Sequence, residues 1–242
     1  MDLDQQQVSL AAVQLTDFRA VNLRNLVADH AVPGSALDVG CGGGGMVAWM
    51  LKRGMDARGI DGSDPIIAAA KAFLKQQGCD EGRVTKTSLQ ELVAAGHQVD
   101  NAISMDVLEH VEDDRAMFDG LVKITRPGGR VLVTVPAMPV LYGPRDEAIG
   151  HYRRYTPDRL RMLTQGQPLR VDDVRYWNAL GVAPTFISNR VLKRSIDESF
   201  RYGKPTLSKR VLRAGLSAWF RFVENPSRPP LGLTLFMSAT RL

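Results

Sequence analysis

The chain has 242 residues, 44% hydrophobic and 24% charged, which is ordinary globular composition and excludes disordered, collagen-like and coiled-coil classes. Its length suits one α/β domain, since domains usually run to roughly 100–200 residues. The two cysteines, Cys41 and Cys79, form neither a disulfide framework nor a metal-ligand spacing, so a reducing compartment and no metal are expected. The N-terminal MDLDQQQ lacks the basic-then-apolar layout of a signal peptide. No uncharged apolar run reaches the roughly 18 residues of a membrane span, and a cytoplasmic location is expected.

The 31 Lys and Arg against 26 Asp and Glu give a net charge of +5, unevenly spread. Between Arg190 and Arg228 ten basic residues face only Asp197, Glu198 and Glu224. Such a region attracts an anionic substrate, a membrane surface or nucleic acid, or is simply a solvated helical face.

In chain order, residues 8–30 suggest one or two amphipathic helices ending at Pro33-Gly34. Residues 36–39 form a compact apolar strand broken by glycines, 46–52 a helix, and 57–60 a second strand ending at Asp61. An Ala-rich helix follows over 64–77, with Pro65 in its first turn. Residues 83–87 read as a third strand, 89–95 as a short helix and 99–105 as a fourth strand. A helix over 113–126 stops at Pro127-Gly128-Gly129, and β-branched 130–135 is the fifth strand. A loop (136–156) leads to a helix at 157–165, a strand over 169–176, a basic helical stretch over 179–224 and a last strand over 231–240. Strands alternating with helices imply a parallel sheet covered on both faces, with ligands at the carboxyl ends of the strands.

Residues 37–45, LDVGCGGGG, place Gly40, Gly42 and Gly45 in a G-x-G-x-x-G spacing, with Asp61 ending the next strand. Glycines let the backbone turn sharply and approach a ligand closely, and an acid about 20 residues on suits ribose hydroxyls. Dinucleotides and S-adenosylmethionine both use this arrangement. Asp38, just before the loop, would face phosphates unfavourably and suits a ligand bearing an ammonium group. The alternative is a carboxylate that only bonds the loop amides.

With GID at 59–61, SMDVLEHVED at 104–113 and RPGGRVLVTVP at 126–136, the chain resembles class I S-adenosylmethionine-dependent methyltransferases of the small-molecule, bacterial type, closely so over about residues 35–140. The resemblance implies an α/β, doubly wound, seven-stranded and mostly parallel sheet, a Rossmann-like methyltransferase fold whose last strand enters antiparallel. It also implies S-adenosyl-L-methionine as cofactor. Gly40 and Gly42 would line the donor, with Asp38 near its methionyl end, Asp61 on the ribose, and Gly62 and Ser63 beside the adenine. Ser88 and Leu89 would meet the adenine edge, Met105 and Asp106 would face the donor and the transferred methyl, and His110 would lie over the donor or bond backbone. One domain is expected: an N-terminal helical lid (1–34), a donor-binding core (35–136), an acceptor-side region with strand six and a helical insert (137–230), and the last strand (231–242).

Met105-Asp106-Val107-Leu108 is not the Asn/Asp-Pro-Pro-aromatic segment of base amine methyltransferases, and neither cysteine sits where a base C5-methyltransferase needs its nucleophile. No nucleic-acid partner is therefore expected. The stretch 144–156, PRDEAIGHYRRYT, resembles a loop of many bacterial small-molecule members. His151 suits a base or acceptor-orienting group, with Tyr152 and Asp106 the other catalytic candidates. Arg153, Arg154 and Tyr155 join His151 as acceptor contacts, two arginines suiting an acidic acceptor; alternatively the arginines pair with Asp146 and Glu147 and fold the lid. Trp219, Phe220 and Phe222 among basic residues could cap an acceptor pocket, form a homodimer face, touch a membrane peripherally or pack in the core. The expected function is methyl transfer to a small-molecule acceptor such as a natural-product or lipid precursor. The rivals are an NAD-dependent oxidoreductase and a non-catalytic donor-binding subunit.

Overall fold

The computed structural model of the chain describes residues 17–188 and 207–242. Its first helix, α1, spans Phe18–Asp29 and is capped by the Asp17 carboxylate, which accepts from the Arg19 amide. The expected helical pattern over residues 8–16 lies outside the described residues, as do Arg190, Lys193, Arg194, Arg201 and Lys204.

Seven strands make one sheet: β1 (Ser35–Val39), β2 (Asp56–Asp61), β3 (Val84–Lys86), β4 (Val99–Met105), β5 (Thr125–Pro136), β6 (Leu169–Trp177) and β7 (Thr234–Arg241). Their order is β3-β2-β1-β4-β5-β7-β6. The first five pair in parallel, and β7 runs antiparallel between β5 and β6. The chain order reverses at β1, whose neighbours are β2 and β4, and a crevice at such a switch point is where open α/β sheets hold ligands.

Helices cover both faces because each parallel connection crosses over the sheet. On one face α1, α2 (Gly45–Leu51) and α3 (Asp64–Gln76) pack with Trp177 and Phe220 against Ala36, Ile103 and Leu132. On the other, α4 (Leu89–Ala94) and α5 (Asp114–Ile124) bury Leu89, Phe118 and Leu121 against Leu37, Val131 and Val133. Each such side chain contributes about 1.5–3 kcal/mol. Short helices α6 (Pro144–Ala148) and α7 (Pro157–Met162) follow β5, and α8 (Val182–Phe186) and α9 (Leu207–Trp219) follow β6.

Several expected boundaries move; the helix expected over 157–165 ends at Met162, and the strand expected over 83–87 is Val84–Lys86. Helix α5 ends at Ile124 and not at 126, because a proline forces the residue before it, Arg126, out of helical geometry. Strand β5 instead starts at Thr125, and its register jumps from Val99↔Thr125 to Asn101↔Arg130 across Pro127-Gly128-Gly129. Strand β7 starts at Thr234, since Gly232 passes so near Trp177 that a Cβ would come within 2.4 Å of its carbonyl oxygen. The loop 136–156 is partly helical through α6 and a turn at Pro139–Leu141. No described helix is long and apolar enough to cross a membrane.

Candidate functional site

The glycine loop turns off β1 by sharing one acceptor. The Gly40 and Cys41 amides both donate to the Ile60 carbonyl, each at 2.9 Å. Gly40 (φ 73°), Gly42 (φ 49°) and Gly44 (φ 75°) hold left-handed conformations, which glycine adopts without steric cost. At Gly40 a Cβ would strike Val107 at 2.6 Å, whereas Gly42 and Gly62 face open space. The Asp61 carboxylate closes the loop, accepting from the Gly42 amide (3.2 Å) and the Ser63 amide (3.1 Å). The Ser63 hydroxyl is buried and has no hydrogen-bond partner among the described residues.

Asp38 lies at the floor, 5% exposed. Burial, and then the nearby Asp61, push its carboxyl up to about 7, against the pull of Arg24. Arg24 comes from α1 and is itself buried, its guanidinium lowered by that burial and held up by Asp38 and Asp17. A buried carboxylate this poorly compensated is a ready receptor for a cation. Sequence reasoning missed Arg24. Its signal was a lone charge inside the apolar run Leu23, Leu26, Val27 of α1.

Residues after β4 form the second wall. Asp106 is left-handed (φ 55°), a conformation aspartate tolerates better than most residues. Its amide donates to the Thr134 carbonyl at 2.9 Å, and the Thr134 hydroxyl donates to its carboxylate at 3.2 Å. Asp106 is reached by solvent yet surrounded by protein atoms, as expected at the bottom of a cleft. That enclosure raises its carboxyl despite Thr134 and the positive fields of His151, Arg19 and Arg154. Next to it stands Glu109, fully buried and also missed from sequence, its carboxyl raised well above the ordinary range by burial and by Asp106.

The HYRRY segment folds back onto this wall through the Tyr152 amide, which donates to the Glu109 carbonyl at 2.7 Å. Asp146 organises it. Its buried carboxylate accepts from the Gly143 amide (3.0 Å), meets His151 Nδ1 at 2.9 Å and takes the Arg154 Nε–H at 2.9 Å. Burial alone would raise Asp146, but His151 and Arg154 outweigh it and hold it low. The His151 ring stands edge-on to His110, 4.5 Å between centroids, with Nε2 3.8 Å from Glu109.

Asp38, Gly40, Gly42, Asp61, Gly62 and Ser63 are thus gathered around the β1 and β2 ends, and Met105, Asp106, His110 and His151 around the β4 end. Other expected site residues have different duties. Ser88 caps α4, accepting from the Glu91 amide while its own amide donates to Glu91, and Leu89 is core, packed beneath Gly120. Arg153 donates to the Val111 and Glu112 carbonyls and pairs with Asp114. Arg154 is spent on Asp146 and the Ala137 carbonyl. Tyr155 is 0% exposed and donates its hydroxyl to Asp114 at 2.8 Å. These contacts correct the expectation that Arg153, Arg154 and Tyr155 meet the acceptor: they fasten the loop. Tyr152 is 56% exposed.

A methyltransferase domain family model matches residues 37–133. Over 109 residues the chain is 38% identical to a ubiquinone biosynthesis O-methyltransferase of Psychrobacter cryohalolentis, covering 44% of this chain and 42% of that protein. The chain aligns to about two fifths of the length of such curated relatives. The fold is similar to that of geranyl diphosphate C-methyltransferase from Streptomyces coelicolor, solved with Mg2+, geranyl diphosphate and S-adenosyl-L-homocysteine (TM-score 0.61, 12% identity, covering 91% of this chain and 78% of that one). It is also similar to that of the [4+2]-cyclase SpnF (TM-score 0.58, 19% identity, covering 92% and 81%). At these identities the likeness shows the fold alone, the Rossmann-like methyltransferase fold.

Proposed function

We propose that the chain, whose residues 37–133 match a methyltransferase domain family model, is a single methyltransferase domain that uses S-adenosyl-L-methionine to methylate a small-molecule acceptor. The observation that carries this reading is Asp38: a buried carboxyl raised to about 7 beside an open, glycine-lined loop. A dinucleotide would bring phosphates against it, which opposes the oxidoreductase rival. The residues fit the donor. Asp38 would take its ammonium and Arg24 its carboxylate. Asp61 would hold the ribose hydroxyls in place of the Gly42 and Ser63 amides, with Gly62 and the unpartnered Ser63 hydroxyl beside the adenine. When bound, the donor supplies an electrophilic methyl on a sulfonium leaving group.

Chemistry on the chain's side is then alignment, exclusion of water and proton removal. With Nδ1 held by Asp146, His151 keeps Nε2 free of a hydrogen bond to Glu109, 3.8 Å away, and this nitrogen would accept the proton of an acceptor hydroxyl. Asp106 would orient that hydroxyl at the β4 end. The O-methyltransferase names of the relatives support an oxygen acceptor in small-molecule biosynthesis. Two free cysteines support a cytoplasmic setting. Exposed Leu207, Val211 and Leu212 next to Arg210 on α9 support peripheral contact with a lipid surface.

The test is calorimetric titration with the donor, its demethylated product and NAD, followed by mass-spectrometric screening of hydroxylated acceptors. The expected result is micromolar donor binding and no NAD binding; tighter NAD binding would overturn the reading.

A further inference from the structure

On the far side of the sheet from the glycine loop, the amino ends of β1, β2 and β4 border a cavity of about 730 Å3. That size falls within the roughly 300–1,000 Å3 of small-molecule sites. The cavity exists because its cover is short. Helix α4 has six residues, a length of about 9 Å, whereas the six residues of β2 extend about 20 Å. Helix α4 begins just after β3 and sets Leu89 into the core with Leu37 and Ile60. The rest of that face of β2 and β3 lines the cavity.

Arg58 stands in this space. It sits opposite Leu37 in register and two residues before Ile60, so it shares their face of the sheet. The two acids that line the cavity are engaged elsewhere. Asp56 pairs with Arg83, and Asp100 accepts from the Ser35 amide (2.8 Å), the Ser35 hydroxyl (2.7 Å) and Arg126 (3.2 Å). The Arg58 guanidinium has no hydrogen bond or ion pair with any described residue, and neither has the His97 ring, which lines the same cavity after α4. Its spare polar groups are therefore donors, headed by one permanent positive charge, while Leu92, Val99 and Ile124 supply apolar walls.

We propose that this cavity binds an organic anion with an apolar body, its carboxylate or sulfonate head on the Arg58 guanidinium and its body against Leu92, Val99 and Ile124. A guanidinium presents a planar fork of donors that matches such a head group, and apolar walls with a few placed polar groups are the usual make-up of a ligand site. Inorganic phosphate would leave those walls wet. A neutral apolar ligand would strip water from Arg58 and return nothing for it. The glycine loop and Asp61 lie at the carboxyl ends of β1 and β2, whereas the cavity opens at their amino ends. The two sites are therefore separate, and this one does not depend on the methyl-transfer reading.

The experiment titrates the purified full chain with the fluorescent anion anilinonaphthalene sulfonate and, beside it, with its uncharged parent phenylnaphthylamine. Saturable binding of one sulfonate probe per chain is expected at micromolar concentrations, undiminished by saturating S-adenosylhomocysteine. Arg58→Gln should weaken the sulfonate by at least about tenfold and leave the uncharged probe unmoved. Arg58 is exposed and without a partner, so this change should not shift thermal unfolding. Thr85 is an exposed strand residue lining the cavity; Thr85→Trp suits a strand, fills the space and should abolish binding of both probes. Sulfonate binding that survives both substitutions lies on another surface and would overturn the site. So would displacement by S-adenosylhomocysteine, equal affinity for the two probes, or no saturable binding. A chain that binds the sulfonate at Arg58 but not S-adenosylhomocysteine would count against the functional reading and leave this site standing.

Discussion

Asp38→Asn isolates the charge at the floor of the proposed donor site while keeping its shape. Raising a buried carboxyl from 3.8 to about 7 means that the folded chain holds its proton more tightly than the unfolded one. The stability this confers is fully present below the unfolded value, declines as pH rises through about 7, and is gone above it. Relative to the protonated state, the ionised carboxylate costs the empty protein on the order of 4 kcal/mol at pH 8.5. Asparagine does not ionise, so the variant should be more stable than wild type at pH 8.5, with the gap closing toward pH 5 in urea denaturation. Binding should move the other way. The ammonium of S-adenosylmethionine loses a charge-assisted bond worth about 1.5–3 kcal/mol, so its Kd should rise at least about tenfold. Wild-type affinity should itself fall below pH 7, by up to about tenfold per pH unit. A variant that binds the donor as wild type does, or shows the wild-type pH dependence of stability, would refute the assignment.

Asp61→Ala should weaken the donor by about 2–3 kcal/mol in calorimetry, and should shift the pH dependence of binding downward, because Asp61 helps to raise Asp38; an unchanged Kd would place the ribose elsewhere. His151→Ala should lower turnover by about 10²–10⁴-fold with donor Kd unchanged, as read by steady-state kinetics beside calorimetry. Arg154→Met leaves the buried Asp146 without its main cation and should destabilise the fold by about 3–5 kcal/mol in denaturant, with any rise in the acceptor's KM secondary to that loss. Tyr155→Phe should cost about 1 kcal/mol and leave the KM of the acceptor unmoved, as a scaffold tyrosine requires.

How far the site could be read in advance follows from how local each part is. The glycine loop, Asp38 and Asp61 lie within one strand-helix-strand unit, where backbone conformation and the next strand's end fix their relation. Strand β4 was expected over 99–105 and is Val99–Met105. Arg24 reaches Asp38 from a helix outside that unit, so only the fold brings them together. The same holds for Glu109 and His151, 42 residues apart in the chain and joined by a backbone bond from Tyr152 that no spacing announces. The polar density of HYRRY misled for a related reason. Two arginines and a tyrosine beside a ligand edge read as an acceptor wall, yet a loop crossing such an edge has its own carbonyls and carboxylates to satisfy. Arg153, Arg154 and Tyr155 meet that internal demand.

Several acids are moved clearly by the fold, in two directions. Asp100, Asp114, Asp146, Asp172 and Asp173 are held below the ordinary range, each with an arginine among its partners, and Glu91 is held low by the Ser88 amide and the Thr87 and Ser88 hydroxyls. Asp38, Asp106 and Glu109 are pushed up, because burial there exceeds what the chain supplies in return. The lowered group is distributed around the fold as structural pairs. The raised group is confined to the carboxyl ends of β1 and β4, on either side of the point where the sheet's chain order reverses. A chain that can satisfy Asp146 so thoroughly, across the His151 ring from Glu109, has the means to satisfy Glu109 too. That it leaves all three raised at one edge supports the proposal that a positive charge reaches this edge from outside the chain, the donor's ammonium at Asp38.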